Sequence, residues 1–228
     1  MFIANFMTAP AQTVSPETLL PVARELMTTG KFRHLPVVDP EGRLLGIVTD
    51  RDLRSAFPAG VFDEEERREY HKRYSRTTVA AIMTETVACI SMAATLDDAL
   101  LLFDRAKVGG LPVVNKDKKV IGVLSVRDLL TAYRQLFGLG VKGSNLITIE
   151  DDGRPRLLAQ LTEVLESGGI PFTRLIRTGV SEGDRQPGLI YVRVHTHNLN
   201  GVRNALVAAG FKTVAPGIER SEEIYDHA

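Results

Sequence analysis

Hydrophobic and polar positions follow the same pattern twice in the first 137 residues. The apolar run Leu-Pro-Val-Val begins at Leu35 and again at Leu111, and a glycine-led run begins at Gly46 and again at Gly122. The two members of each pair lie 76 positions apart. A unit this short cannot build an adequate core alone, so two copies usually bury their apolar faces against each other. We therefore expect a pseudo-two-fold pair, with clefts between the copies in which ligands can sit.

Within each copy the periodicity predicts the order strand, helix, strand, strand, helix. The elements predicted for the first copy are a short strand at 12–14, a helix at about 19–29, strands at 35–38 and 44–48, and a helix that starts at Thr49. The first copy spans 1–60 and the second 77–137. This part of the chain therefore belongs to the α/β class, with two β-α-β-β-α units.

A strongly charged segment at 61–76 separates the copies. Its acidic residues precede its basic ones, which suits the dipole of a helix. The sequence predicts a solvent-facing linker helix, and the alternative is a helix with one side for a partner or a second copy. The residues that would form that apolar side are Phe57, Val61, Phe62, Tyr70 and Tyr74.

The character of the chain changes after a glycine-rich hinge at 138–144. The segment 145–216 reads as βαββαβ, which predicts a ferredoxin-like sandwich of the α+β class with helices on one face of an antiparallel sheet. The segment 217–228 is predicted to be a loose tail.

Composition excludes several classes of protein. Of 228 residues 44% are hydrophobic, and 28 basic residues balance 28 acidic ones, which gives no electrostatic footprint for nucleic acid. No apolar run approaches the roughly 20 residues that span a bilayer, so we expect a cytoplasmic protein without a membrane partner. Cys89 is the only cysteine, lies in an apolar run, and is predicted to be a buried small hydrophobe.

Two motifs, Thr49-x-x-Asp52 and Ser125-x-x-Asp128, each open a helix directly after an apolar strand. In one interpretation the hydroxyl and the carboxylate cap the first helical turn. In the other, the hydroxyl and free N–H groups receive a phosphate while the carboxylate accepts hydrogen bonds from ribose hydroxyls. Both interpretations can hold together.

The duplicated unit, with its Leu-Pro-Val-Val strand and its strand-to-helix turn, closely resembles a tandem of CBS (cystathionine-beta-synthase) domains, or Bateman module, over about residues 1–137. The resemblance implies a regulatory adenosine-containing ligand (AMP, ADP, ATP or S-adenosylmethionine) between the copies, and no required cofactor. It assigns phosphate to Thr49 and ribose to Asp52, with Ser125 and Asp128 in the second site. It assigns the adenine edge to backbone groups of the first strands, at Thr13, Val14, Cys89 and Ile90.

The two implied sites differ in charge. The first copy has Arg33 and His34 before its Leu-Pro strand, where the second has Gly109 and Gly110. Charge-assisted contacts to phosphate are therefore available mainly from the first copy. The glycines either let a ligand approach the backbone closely or form a tight turn. The remaining candidates are Asp50 and Arg51 in the first copy and Arg127 in the second.

Asp50 would repel a polyphosphate unless Arg51 offsets it. A monophosphate or a nucleoside is therefore as compatible with the sequence as ATP.

The second domain resembles the ACT domain, a regulatory fold that often binds amino acids between paired copies. That resemblance directs attention to Asn145, Asp152 and Gly153 as effector-binding residues, although an ordinary βα turn would use the same residues. Two CBS repeats followed by an ACT-like domain also resemble a family of acetoin-utilisation proteins, which implies a link to acetoin or related carbon metabolism.

We therefore expect a non-catalytic sensor that forms a homodimer through its CBS and ACT-like domains and regulates an unidentified protein. The alternative is a structural dimerisation scaffold whose CBS pair binds no ligand. A third option, a metal enzyme that uses His195 and His197, lacks a nearby third ligand in the sequence. No metal site is predicted.

Overall fold

The computed structural model describes residues 1–56, 63–178 and 188–214. The chain divides into two compact units, Met1–Ala132 and Tyr133–Ala228. The helices of the described residues are α1 (Leu20–Gly30), α2 (Asp50–Ala56), α3 (Glu64–Tyr74), α4 (Leu96–Ala106), α5 (Val126–Leu136), α6 (Leu157–Ser167) and α7 (Leu199–Ala208). The strands are β1 (His34–Val38), β2 (Leu44–Thr49), β3 (Ile90–Ser91), β4 (Gly110–Val114), β5 (Val120–Ser125), β6 (Ser144–Asp151), β7 (Phe172–Arg177), β8 (Gly188–His195) and β9 (Thr213–Val214). None of these helices is long and apolar enough to cross a bilayer.

The first unit contains an antiparallel hairpin, β1–β2, and a three-stranded sheet in the order β3-β4-β5. The strand predicted at 12–14 is wrong, because Val14 forms only a single parallel bridge, with Val37. Pro16 follows two positions later and has no N–H with which to extend the ladder. The matching position of the second copy is Met92, and there a short strand, β3, pairs with β4.

The two copies exchange their leading segments. Thr8 donates from its N–H to the carbonyl of Val123 at 2.9 Å, and Thr84 donates to that of Ile47 at 2.9 Å. The reverse bonds, from Val123 to Thr8 and from Ile47 to Thr84, are both 3.0 Å long. Thr84 and Val123 stand 76 positions after Thr8 and Ile47, so the exchange has the predicted pseudo-two-fold symmetry.

Glycines make this exchange sterically feasible. A Cβ on Gly46 would lie 2.8 Å from the sulfur of Met83 and 3.0 Å from the carbonyl oxygen of Thr84. A Cβ on Gly122 would lie 2.9 Å from the carbonyl oxygen of Thr8. Both glycines lie within strands, where glycine often marks the close approach of another backbone.

The charged linker forms α3, and most of its residues are exposed as predicted. Asp63 and Glu66 form a capping box at its start. Tyr74 is different, because it is buried in the core of the first copy and donates from its hydroxyl to the carbonyl of Leu20 at 3.4 Å. The helix is therefore anchored at its carboxyl end. Phe57, Val61 and Phe62, which were predicted to extend its apolar side, lie outside the described residues.

The second unit contains an antiparallel sheet in the order β7-β8-β6-β9. Helices α6 and α7 contribute to one core with the alternate residues of β6 and β8, so these helices cover one face of the sheet. The buried residues of this core are Ile147, Ile149, Leu157, Leu161, Leu165, Ile190, Val192, Val194, Val202, Leu206 and Phe211. The βαββαβ order of elements is as predicted. The assignment of a ferredoxin-like ACT domain stays a prediction.

Candidate functional site

The β1–β2 hairpin brings the charged candidates of the first copy together. His34 lies opposite Thr49 in the register of the two strands, and α2 begins at the next residue, Asp50. The N–H of Asp50 donates to the carbonyl of Arg33 at 3.1 Å. Arg33, His34 and the first turn of α2 therefore share one end of the hairpin.

The second copy repeats this backbone arrangement without the charged side chains. Gly110 lies opposite Ser125, and the N–H of Val126 donates to the carbonyl of Gly109 at 3.1 Å. Arg127 is exposed in the first turn of α5. It is the one cation among the second-copy residues that the sequence singled out.

The capping interpretation of both motifs is confirmed. Thr49 donates to Oδ2 of Asp52 from its N–H at 2.8 Å and from its hydroxyl at 2.7 Å, and it accepts from the N–H of Asp52 at 3.3 Å. Ser125 and Asp128 make the same three bonds at 2.8, 2.6 and 3.2 Å.

A third box of the same kind opens α4. Thr95 donates to Oδ2 of Asp98 at 2.8 Å from its N–H and at 2.7 Å from its hydroxyl, and the N–H of Asp98 returns a bond of 3.1 Å. No candidate binding residue was predicted there. The motif alone therefore does not identify a ligand site, and the α4 box is a matched internal control.

The caps also reduce what α2 offers to a phosphate. The N–H groups of Thr49, Asp50 and Asp52 already have acceptors, so the N–H of Arg51 is the one uncommitted donor among residues 49–52. Side chains must therefore carry most of any phosphate contact.

The charge of Asp50 is balanced by a residue that the sequence reasoning missed. Arg54 lies 2.6 Å from Oδ2 of Asp50. The signal was the i, i+4 spacing of the two residues on a helix. Arg33 and Arg51 make no ion pair within the described residues, so both cations are available to a ligand.

His34 reaches across to the second copy. A Cβ on Gly110 would lie 2.5 Å from Cγ of His34, and one on Gly109 would lie 3.2 Å from Nε2. These glycines therefore make room for the His34 ring. Gly110 is the position that matches His34 in the repeat, and residues near a two-fold axis meet their own equivalents. The alignment of a histidine with a glycine was the signal for this contact.

The environment of His34 favours its neutral form. Burial lowers the pKa of the imidazole, the nearby charge of Arg33 lowers it further, and the charge of Asp52 partly raises it. The net direction is down, so the ring is neutral at neutral pH.

The backbone groups of Thr13 and Val14, which are predicted to bind the adenine edge, are only partly available to a ligand. The N–H of Val14 donates to the carbonyl of Pro36 at 3.1 Å, and its carbonyl accepts from the N–H of Val38 at 2.9 Å. The backbone of Thr13 makes no such bond within the described residues. Thr13 is therefore the residue of this pair that can offer backbone groups to a ligand.

A cavity of about 320 Å³ borders Thr13 and Val14 at the turn end of the hairpin. Thr49 and Asp52 do not line it, because they lie at the opposite end of the strands. Its lining residues are Thr13, Val14, Ser15, Pro16, Glu17, Val38, Asp39, Pro40 and Leu45.

The prediction that Cys89 is buried is wrong, because its side chain is exposed. Ile90, the first residue of β3, is buried instead. Successive side chains of an extended chain point to opposite sides, so only one of these neighbours can enter the core.

The three effector candidates of the second unit do not come together. The side-chain amide of Asn145 donates to the carbonyls of Gly143 and Thr196 at 3.0 Å each, near the start of β6. Asp152 and Gly153 follow the far end of β6, roughly 20 Å away at the rise of a strand. Asp152 accepts from the N–H of Arg154 at 3.1 Å, and Gly153 has a φ of +74°. These bonds suit the turn interpretation.

The neighbouring Asp151 was missed by the sequence reasoning, and it is the buried charged residue of the second unit's described part. Arg177 holds its carboxylate through two nitrogens, Nε to Oδ2 and Nη2 to Oδ1, the latter at 3.0 Å. The hydrogen bonds from Arg177 lower the pKa of Asp151 most, and the N–H of Gly153 lowers it further. The pair ties β6 to β7.

No group of three or more His, Cys, Asp or Glu residues that could hold a metal ion occurs in the described parts of the chain. His195 and His197 therefore have no described third ligand.

The chain is similar in sequence and in structure to known proteins. The CBS domain model matches residues 3–59 and 79–135. A CBS domain-containing protein of Dictyostelium discoideum is 33% identical over 135 residues, which are 57% of this chain and 89% of that protein.

Two solved structures agree with this match. CBSX2 from Arabidopsis thaliana has a TM-score of 0.52 and 29% identity, over 59% of this chain and 95% of that one. A protein assigned to acetoin utilization, AcuB from Vibrio cholerae, has a TM-score of 0.51 and 28% identity, over 61% of this chain and 94% of that one. The chain therefore belongs to the family of proteins with tandem CBS domains.

Proposed function

We propose that the chain is a non-catalytic regulatory protein that binds an adenosine-containing ligand between its CBS repeats. The observation that carries this proposal is the cluster at the strand end of the first repeat. There His34 lies opposite Thr49 in the strand register, Arg33 directly precedes β1, and Asp52 lies in the first turn of α2. The arginines Arg33 and Arg51 and a carboxylate oxygen of Asp52 at this strand end are groups that phosphate and ribose require.

Asp52 keeps one oxygen for a ligand. The cap uses Oδ2, and no described residue donates a hydrogen bond to Oδ1. Ribose hydroxyls are neutral donors, and a carboxylate that accepts from them makes a charge-assisted bond. The cap and the ligand site are therefore compatible, because they use different oxygens.

The charge of the cluster favours a monophosphate. With Asp50 held by Arg54, the nearby cations are Arg33 and Arg51. Two arginines suit the charge of one phosphate group better than that of a triphosphate.

The relatives support AMP as the first ligand to test. CBSX2 has been crystallised in complex with AMP. This chain is similar in structure to CBSX2, with a TM-score of 0.52. We extend AMP binding to this chain as a proposal.

The second repeat offers a weaker site. It has the same cap but glycines in place of Arg33 and His34, and the ring of His34 occupies part of the space above them. We therefore propose that one phosphorylated ligand binds per chain, in the first repeat.

The test is a calorimetric titration of the chain with AMP, ADP, ATP and S-adenosylmethionine. A lost charge-assisted hydrogen bond is worth about 2 kcal/mol, so Asp52→Asn should weaken binding about 30-fold. Asp128→Asn should change the affinity little if the first repeat holds the ligand.

Asp98→Asn is the matched control, because it alters the same cap on α4. It should bind as the unsubstituted chain does. If Asp98→Asn and Asp52→Asn weaken binding equally, the effect comes from helix capping and the assigned site is wrong.

A dimerisation scaffold without a ligand is the competing function. The exposed apolar side chains of α1 and α4, including Val22, Leu100 and Leu101, favour an interface between copies. A dimer together with no binding heat for any of the four ligands would support the scaffold and contradict the sensor.

We further propose that the second unit is ACT-like and takes a small effector, and that the chain forms a homodimer through both units. We also propose that the protein is cytoplasmic, regulates a partner protein and has a role in acetoin metabolism. The likeness to AcuB favours the last of these, and the βαββαβ order favours the first.

A further inference from the structure

Two arginines lie directly opposite each other in the sheet of the second unit. Arg174 of β7 pairs in register with Arg193 of β8. Residues opposite each other on antiparallel strands share a face, and like charges in such pairs are destabilising. Val192 and Val194 point into the core beneath the helices, so the arginines occupy the other face of the sheet.

No described acidic residue balances this pair. None of the ion pairs within the described ranges includes Arg174 or Arg193. The nearest positions of the same face hold Leu146, Tyr191 and His195, none of which is acidic. Glu150 lies further along β6 and pairs with Lys212 at 3.5 Å.

The end of α5 offsets only part of this charge. Arg174 donates from Nη2 to the carbonyl of Gln135 at 3.1 Å, in the last turn of the helix. A helix end carries about half a negative charge, so two guanidiniums beside it leave about one and a half positive charges unbalanced. Burial and the charge of Arg174 both lower the pKa of Arg193, which indicates a poorly solvated cation.

The two side chains come together beside Gly138. A Cβ there would lie 3.3 Å from Nη1 of Arg174, 3.5 Å from Cδ of Arg193 and 3.6 Å from Oγ of Ser144. Arg193 donates from Nη1 to that Ser144 oxygen at 3.2 Å. Each guanidinium has five N–H donors, and each makes one hydrogen bond to a described residue, so most of the donors remain available.

We propose that Arg174 and Arg193 form a binding site for a small oxyanion, a carboxylate or a phosphate, on the face of the second unit's sheet that lies away from α6 and α7. The planar guanidinium fork matches the two oxygens of either group. Bound there, the anion removes the repulsion between the arginines. The site is separate from the CBS repeats and does not depend on the function proposed for them.

The test uses the ¹⁵N-labelled 228-residue chain at constant ionic strength, titrated separately with sodium phosphate and sodium acetate. Saturable shifts of the Gly138 and Ser144 amides are expected with at least one of these anions, together with a rise in melting temperature. Saturation by phosphate alone identifies a phosphate site, and saturation by acetate identifies a carboxylate site.

Arg193→Gln should weaken the anion response about tenfold or more, because a charge-assisted contact is lost. Arg203→Gln, on α7, removes one positive charge from the same unit and should leave the response intact. Arg33→Gln should leave it intact as well, which distinguishes this site from the phosphate site proposed in the first repeat. No saturable shift with either anion, or an equal response in Arg193→Gln, would overturn the proposal.

Discussion

Gly110→Ala tests how the two CBS repeats pack. The new methyl group would lie 2.5 Å from Cγ of His34 and 2.6 Å from Nδ1, far inside the 3.5–4.0 Å at which such atoms attract. Overpacking of this kind costs about 1–3 kcal/mol. The backbone of Gly110 lies outside the positive-φ region, so alanine itself should contribute about 0.4–1 kcal/mol through the unfolded state. We expect a net loss of about 1–2 kcal/mol.

The sign of the effect should reverse when the ring is removed. In a His34→Ala background the methyl group meets no ring, and Gly110→Ala should stabilise by about 0.4–1 kcal/mol. The difference between the two backgrounds is the coupling energy of the double-mutant cycle.

Native-state hydrogen exchange at the amides of β4 measures the unfolding free energy of the first unit separately from that of the second. Effects of Gly110→Ala that agree within about 0.5 kcal/mol in the two backgrounds would refute the contact between His34 and Gly110.

Substitutions at Gly122, His34 and Arg177 test three further contacts. Gly122→Ala places a methyl group 2.9 Å from the carbonyl oxygen of Thr8, and this backbone atom cannot rotate away. Hydrogen exchange at the amides of β5 should therefore show that the free energy of unfolding falls by about 2–3 kcal/mol. An unchanged free energy of unfolding would contradict the pairing of Thr8 with β5. The pKa of His34 is lowered in the folded chain, so the unfolded chain binds more protons near this pH. The free energy of unfolding should therefore fall as the pH drops below about 6.5. His34→Gln should remove this dependence in unfolding experiments from about pH 7.5 to 5. Arg177→Gln leaves the buried carboxylate of Asp151 with one described donor, the N–H of Gly153. The free energy of unfolding of the second unit, measured by hydrogen exchange at the amides of β8, should fall by about 1–3 kcal/mol. An unaltered exchange rate would count against this pair.

The repeated pattern was sufficient to predict the order helix, strand, strand, helix that both copies share, because apolar periodicity and turn residues agreed in each. It was insufficient where one residue changed the pairing. The pattern predicts a strand at 12–14, but the missing N–H of Pro16 limits Val14 to a single bridge. The apolar run around Cys89 predicts a buried side chain, although an extended chain turns alternate side chains outward.

The candidate site likewise contains contacts that a local sequence pattern predicts and contacts that it does not. The motif spacing predicted the pairing of Thr49 with Asp52, since a cap is a local arrangement. The contact of His34 with Gly110 depends on how the copies pack, which no local pattern contains. The separation of Asn145 from Gly153 likewise follows from the length of β6, which the resemblance to ACT domains did not take into account.

Chemical-shift mapping of AMP on the ¹⁵N-labelled chain tests whether the first repeat holds an adenosine-containing ligand. We predict saturable shifts at the amides of Thr13, His34 and Thr49, and none at Thr95, which opens the matched cap of α4. Shifts confined to other parts of the chain, equal shifts at Thr49 and Thr95, or no shifts at millimolar AMP would contradict it.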